Sequence, residues 1–167
     1  MFALRLVVFC LLFGLSGCGF KPLYQIHQGA ILDKLRMVKI STIENREGQI
    51  LHNHLCQMFG IHDHISTQKY VLKVVLNYNK KPLAISKSAS TVEESIYLDV
   101  RYTLSHLESG KEIFSTHERV SVDSTVSAQS PYANWVGEKS AQERLLYEAA
   151  ENIRTTVAAA LEEAEHS

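Results

Sequence analysis

Residues 96–104 alternate so regularly that they limit the folds open to this chain. Ile96, Leu98, Val100, Tyr102 and Leu104 are apolar at every second position, the period of a strand with one buried face. Glu108-Ser109-Gly110-Lys111 then reads as a hairpin turn, and residues 112–121 supply the antiparallel partner. A further strand over 69–79 sets Tyr70, Leu72, Val74, Leu76 and Tyr78 on one side and adds Val71 and Val75 on the other. A first strand is expected around Val38 and Ile40, within residues 37–43.

A sheet with one apolar face needs a cover, and two segments have helical spacing. Asn45 is placed as an N-cap before Ile50, Leu51, Leu55, Met58 and Phe59, with Gly60 to close the helix. Ser130-Pro131 opens a longer helix whose stripe is Leu146, Ala149, Ile153, Val157 and Ala160, with Ala150 and Leu161 beside it. Trp135 and Tyr132, near its start, are expected in the core. The order β-α-β-β-β-α predicts an α+β two-layer sandwich, with two helices on one face of a roughly four-stranded sheet. Lys80-Lys81-Pro82 is expected to interrupt the second strand, and residues 86–91 and 123–130 to be polar connections. Val71, Val75 and Tyr97 should point away from the helices and leave part of the second face apolar, as partner sites often are.

The N-terminus carries a different kind of information. Arg5 is followed by the apolar run LVVFCLLF, too short to span a bilayer core that needs about 20 residues, so residues 1–17 read as a signal peptide. Small residues Ser16 and Gly17 stand directly before Cys18, the arrangement of a bacterial lipobox, in which the cysteine takes lipid and becomes the new N-terminus. Residues 18–35, with Pro22 and Gly29, are expected to form a lipid-anchored tether, and 36–167 a single domain.

Charge and motif content remove several function classes. Of 17 Lys plus Arg, one leaves with the leader, and 16 remain against 18 Asp plus Glu. Nucleic acid is therefore not an expected partner, since its binding needs a concentrated positive footprint. Cys10 also leaves with the leader and Cys18 is committed to lipid, so Cys56 alone is free, and burial is its expected role. His52 and His54 sit two apart on a helix and point about 200° apart. His62 and His64 flank Asp63 without completing a ligand set, so no metal and no cofactor is expected. No Gly-x-Ser-x-Gly elbow or glycine-rich phosphate loop is present, and the chain is not expected to be an enzyme.

Four short motifs in order carry a resemblance: GCGFKPLY after the lipobox, Ile43-Glu44-Asn45-Arg46-Glu47-Gly48-Gln49, Tyr70-Val71-Leu72-Lys73-Val74, and Ser130-Pro131-Tyr132-Ala133. Together they resemble LptE, the LPS-assembly lipoprotein family, in its alphaproteobacterial form. The resemblance implies an outer-membrane lipoprotein facing the periplasm that plugs the LptD β-barrel and assists delivery of lipopolysaccharide to the outer leaflet. A lipopolysaccharide contact would require cations opposite its phosphates, for which Lys80, Lys81, Lys87, Arg101 and Lys111 are the candidates. The alternative is an envelope lipoprotein that binds another periplasmic ligand without a barrel partner. An anchored hydrolase is the third reading.

Overall fold

The computed structural model describes residues 24–61, 68–85, 91–127 and 129–166. Its elements are α1 (Tyr24–Arg36), β1 (Val38–Ile40), α2 (Asn45–Met58), β2 (Tyr70–Ile85), β3 (Thr91–His106), β4 (Glu112–Ser127) and α3 (Pro131–His166). The four strands lie in sequence order, with β1 parallel to β2 and the remaining pairs antiparallel. The α+β class and four-stranded sheet agree with the sequence reading, with one helix added in front.

Alternation sorts the strand side chains between two faces. Even-numbered residues Leu72, Val74, Ile96, Leu98, Val100, Tyr102, Leu104 and Val120 are buried. Against them pack Leu51, Leu55 and Phe59 of α2 and Ala141, Leu145, Leu146, Ala149, Ile153, Val157 and Leu161 of α3. Each such leucine or isoleucine removed from water contributes about 1.5–3 kcal/mol. The α3 stripe is the expected one, except that Ala160 is only half-buried.

The expected tether of residues 18–35 is helical from Tyr24 onward, and the compact unit begins inside α1, at Ile31. Leu35 is fully buried and Ile31 packs against the core four residues earlier, one helical turn apart. That short stripe overrides Gly29, which costs a helix about 1 kcal/mol.

β2 runs straight through Lys80-Lys81-Pro82, with a register irregularity between Pro82 and Ala84. Proline is tolerated here because no described strand pairs with β2 on its far side at this point, so no ladder hydrogen bond to one is lost. The following hairpin is also longer than expected. Its strands pair from Thr91 opposite Ser127, so residues 123–127 are strand rather than polar connection.

α2 begins without a side-chain cap. Glu44 holds the N-cap position and Asn45 itself adopts φ 69°, a left-handed conformation that asparagine tolerates better than most residues. Its far end is as expected: Gly60 has φ 67°, its N–H donates to the Gln57 carbonyl at 3.2 Å, and the Ile61 N–H donates to the Cys56 carbonyl at 2.9 Å.

Candidate functional site

The odd-numbered side chains of the sheet point away from the helices and form its open face. Three cross-strand rows define it: Lys73, Thr103 and Ser115; Val75, Arg101 and His117; Asn77, Asp99 and Arg119. Thr103 Oγ1 and Ser115 Oγ are 2.9 Å apart. Arg119 donates from Nε to Asp99 Oδ1 at 2.7 Å and from Nη2 to Oδ2 at 3.2 Å, a two-point fork across the β3–β4 ladder. His117 Nε2 lies 3.5 Å from the same Oδ1, and the Arg119 guanidinium sits 4.6 Å from the centre of the Tyr97 ring.

The Arg119 hydrogen bonds hold the Asp99 carboxyl below the usual carboxylate range and push the guanidinium higher still. Asp99 therefore stays charged and locks Arg119 in place, leaving Lys39, Lys73, Lys81 and Arg101 as the other exposed cations of the described open face. The face is more polar than the sequence suggested. Val75 is 61% exposed, but Val71 is only half-exposed and Tyr97 lies under Arg119.

The candidate lipopolysaccharide contacts do not gather into one patch. Lys81 and Arg101 belong to the open face, while Lys80 projects to the helix side and pairs with Glu138 of α3. Lys111 lies at the opposite end of the sheet, in the β3–β4 turn, beside Ala160 and Glu163 of α3. Lys87, Cys18, His62 and His64 lie outside the described residues. Sequence reading missed Asp99, His117 and Arg119. The signal was available, since a turn centred on Ser109 pairs 99 with 119 and 101 with 117.

The helix side holds its own polar groups. Burial, reinforced by the charge of Glu138, pushes the Tyr78 hydroxyl up to about 12, so it remains protonated. Glu118 of β4 points beneath α3 with Oε1 buried and unpartnered, and burial together with nearby Glu148 raises its carboxyl pKa, partly offset by His117. The folded state thus holds this proton more tightly than the unfolded chain does. Stability is greatest below the unfolded value of about 4.3 and falls as pH rises towards the folded value. Glu118→Gln should raise the thermal midpoint at pH 7, where the native carboxylate is charged and partly desolvated. At pH 4 the difference should vanish. Equal shifts at both pH values would point to packing rather than charge.

Cys56 is half-buried, with Sγ 3.6 Å from His52 Nδ1 on the preceding turn. Burial raises its thiol, so the reactive thiolate is scarce at neutral pH. Alkylation by iodoacetamide at pH 7.5 should run at least about tenfold slower than for free cysteine, and faster reaction would mean an activated thiol. No group of three metal-ligating side chains occurs among the described residues.

Trp135 and Tyr132 are 59% and 78% exposed, not core. The buried stripe of α3 starts only at Ala141, so its first turns present both rings, 6.3 Å apart and stacked, to solvent. Trp135 also borders a cleft of about 230 Å³ between α2 and α3, with Arg46, Glu47, Ile50 and Gln142. No helix among the described residues is long and apolar enough to cross a membrane.

No family model matches the chain. It is 30% identical over 156 residues to the uncharacterized protein RP188 of Rickettsia prowazekii (strain Madrid E), covering 93% of this chain and 94% of that one. A Caulobacter crescentus CB15 protein assigned to the lipoproteins superposes with a TM-score of 0.58 at 25% identity, over 80% of this chain and 97% of its own. Rare lipoprotein B of Shewanella oneidensis superposes with a TM-score of 0.55 at 13% identity, over 77% and 98%. The fold is one that lipoproteins use.

Proposed function

The chain belongs to the same family as RP188 of Rickettsia prowazekii, and from its lipoprotein fold we propose that it is an LptE-type outer-membrane lipoprotein. In this reading Cys18 carries the lipid, and the domain faces the periplasm as a plug for an LptD-like β-barrel. There it assists barrel assembly and lipopolysaccharide delivery without catalysing a reaction. The observation that carries the reading is the conjunction of a lipobox cysteine with this fold.

The surface chemistry is compatible with a plug. Wide transmembrane barrels have polar interiors, and the open face offers Thr103, Ser115, Asp99, Arg119 and His117 in a fixed hydrogen-bonded array. Lys81 and Arg101 share the open face and are the pair proposed here for lipopolysaccharide phosphates, while Lys80 is paired with Glu138, Lys111 lies at the opposite end of the sheet and Lys87 lies outside the described residues. Lys81→Glu combined with Arg101→Glu should weaken binding of lipopolysaccharide to the purified protein at least tenfold, whereas unchanged affinity would remove these residues from the contact.

Depletion tests the cellular role. Loss of the protein should leave the barrel misassembled and lipopolysaccharide stranded in the periplasm, and normal surface lipopolysaccharide would refute it. The cleft beside Trp135 favours a second reading, in which the lipoprotein binds a separate periplasmic ligand there.

A further inference from the structure

β2 is an edge strand for most of its length. β1 pairs with it only at Tyr70, Val71 and Leu72, because the chain leaves the sheet after Ile40 and enters α2 at Asn45. Within that short ladder the Tyr70 N–H donates to the Met37 carbonyl at 3.3 Å, and the Leu72 carbonyl accepts from the Ser41 N–H at 2.9 Å. Even-numbered residues of β2 therefore direct their backbone groups to this side, and odd-numbered residues direct theirs to β3. Continued along the strand, the pattern leaves the N–H and C=O groups of Val74, Leu76 and Tyr78 facing outward. Among the described residues no backbone group pairs with them.

The space beside these groups is shaped. Residues 41–45 form one wall and residues 73–76 the other wall of a groove of about 290 Å³. Val75, the most exposed aliphatic among the described residues of the sheet, adjoins it on the open face. Further along, Lys80, Lys81 and Pro82 are the residue types that blunt sheet edges, and Pro82 falls at an outward-facing position where it offers no donor. From the groove to the first of these guards, residues 74–80 extend about 20 Å, enough for a strand of ordinary length.

Charge selects the occupant. On its open face β2 presents Lys73 and Lys81 and no acidic residue, Lys80 being paired with Glu138 on the helix side, and Glu44 is the acid at the near end of the groove. A second copy pairing through the same edge would set these lysines against one another. The other sheet edge, β4, is protected by the inward-pointing Glu118, whose carboxylate would lose more water under an added strand.

We propose that the β2 edge over residues 74–80 receives an extended acidic segment of a partner protein as a fifth strand, with carboxylates beside Lys73 and Lys81 and an apolar side chain beside Val75. Main-chain hydrogen bonds to Val74, Leu76 and Tyr78 supply the pairing, and the open-face side chains supply the selectivity.

The test uses the full-length, detergent-solubilised protein and a capped nonapeptide, Glu-Thr-Val-Thr-Val-Thr-Val-Thr-Glu, with backbone amide exchange followed by NMR. In the free protein the Val74, Leu76 and Tyr78 amides should exchange freely, and saturating peptide should slow them at least tenfold. The counterpart with Lys for Glu should leave them unchanged. Val75→Glu, at an exposed position, should weaken the acidic peptide at least tenfold with an unchanged thermal midpoint. Amides already protected in the free protein, no slowing by the peptide, or equal slowing by the lysine peptide would each overturn the proposal. Slowing that rises with protein concentration alone would overturn it in favour of a second copy.

Discussion

Alanine at position 48 should destabilise the domain by about 2–3 kcal/mol, the cost of forcing an extra methyl into a packed site. Gly48 is buried in the first turn of α2, where the helix crosses the chain leaving β1. A Cβ there would lie 2.8 Å from Ile43 Cγ2 and 2.9 Å from the Ile43 carbonyl carbon and oxygen. Two of those three atoms are backbone and cannot rotate aside. Relief requires α2 to move, and α2 carries Leu51 and Leu55 into the core. Alanine's better helix propensity opposes this with about 1 kcal/mol, too little to reverse the sign. Urea unfolding at constant m-value should show the lower midpoint. A variant more stable by about 1 kcal/mol would mean that propensity decides and that the close approach to Ile43 does not exist.

Cys18→Ala carries the largest expected effect in the cell. Two or three acyl chains hold a protein persistently at a membrane, since each buried methylene contributes about 0.8 kcal/mol, and the variant would lose all of them. On the lipid-anchor reading the variant should keep its leader, because lipobox processing depends on the cysteine, and should therefore leave the outer-membrane fraction and run with altered gel mobility. Unchanged fractionation and gel mobility would mean that Cys18 carries no lipid.

Patterns confined to a single element were legible in the sequence. The alternation through Ile96, Leu98, Val100, Tyr102 and Leu104 and the α3 stripe through Ala149, Ile153 and Val157 each appear buried as read, because both report a face that stays the same along the element. The misreadings depended on neighbours. Pro82 breaks a strand only where its nitrogen faces a ladder partner, and whether β2 has one there is a property of the whole sheet. Trp135 was expected in the core from its chemistry, yet the core under α3 begins six residues later, at Ala141.

The candidate site was legible in part for the same reason. Lys80 and Lys81 are adjacent in sequence, so the strand sends them to opposite faces, one to Glu138 and the other to the open face. Grouping them as one cationic patch treated chain proximity as proximity in space. Asp99 and Arg119 lie twenty residues apart and form the tightest polar contact of the open face, which becomes apparent once the hairpin register is counted.

The most direct test of the plug reading is affinity purification of a C-terminally tagged copy from detergent-solubilised outer membranes, washed in high salt and followed by mass spectrometry. Recovery of one large β-barrel in equimolar amount is the predicted result. Recovery of the tagged protein alone, from membranes in which the barrel is present, would contradict it.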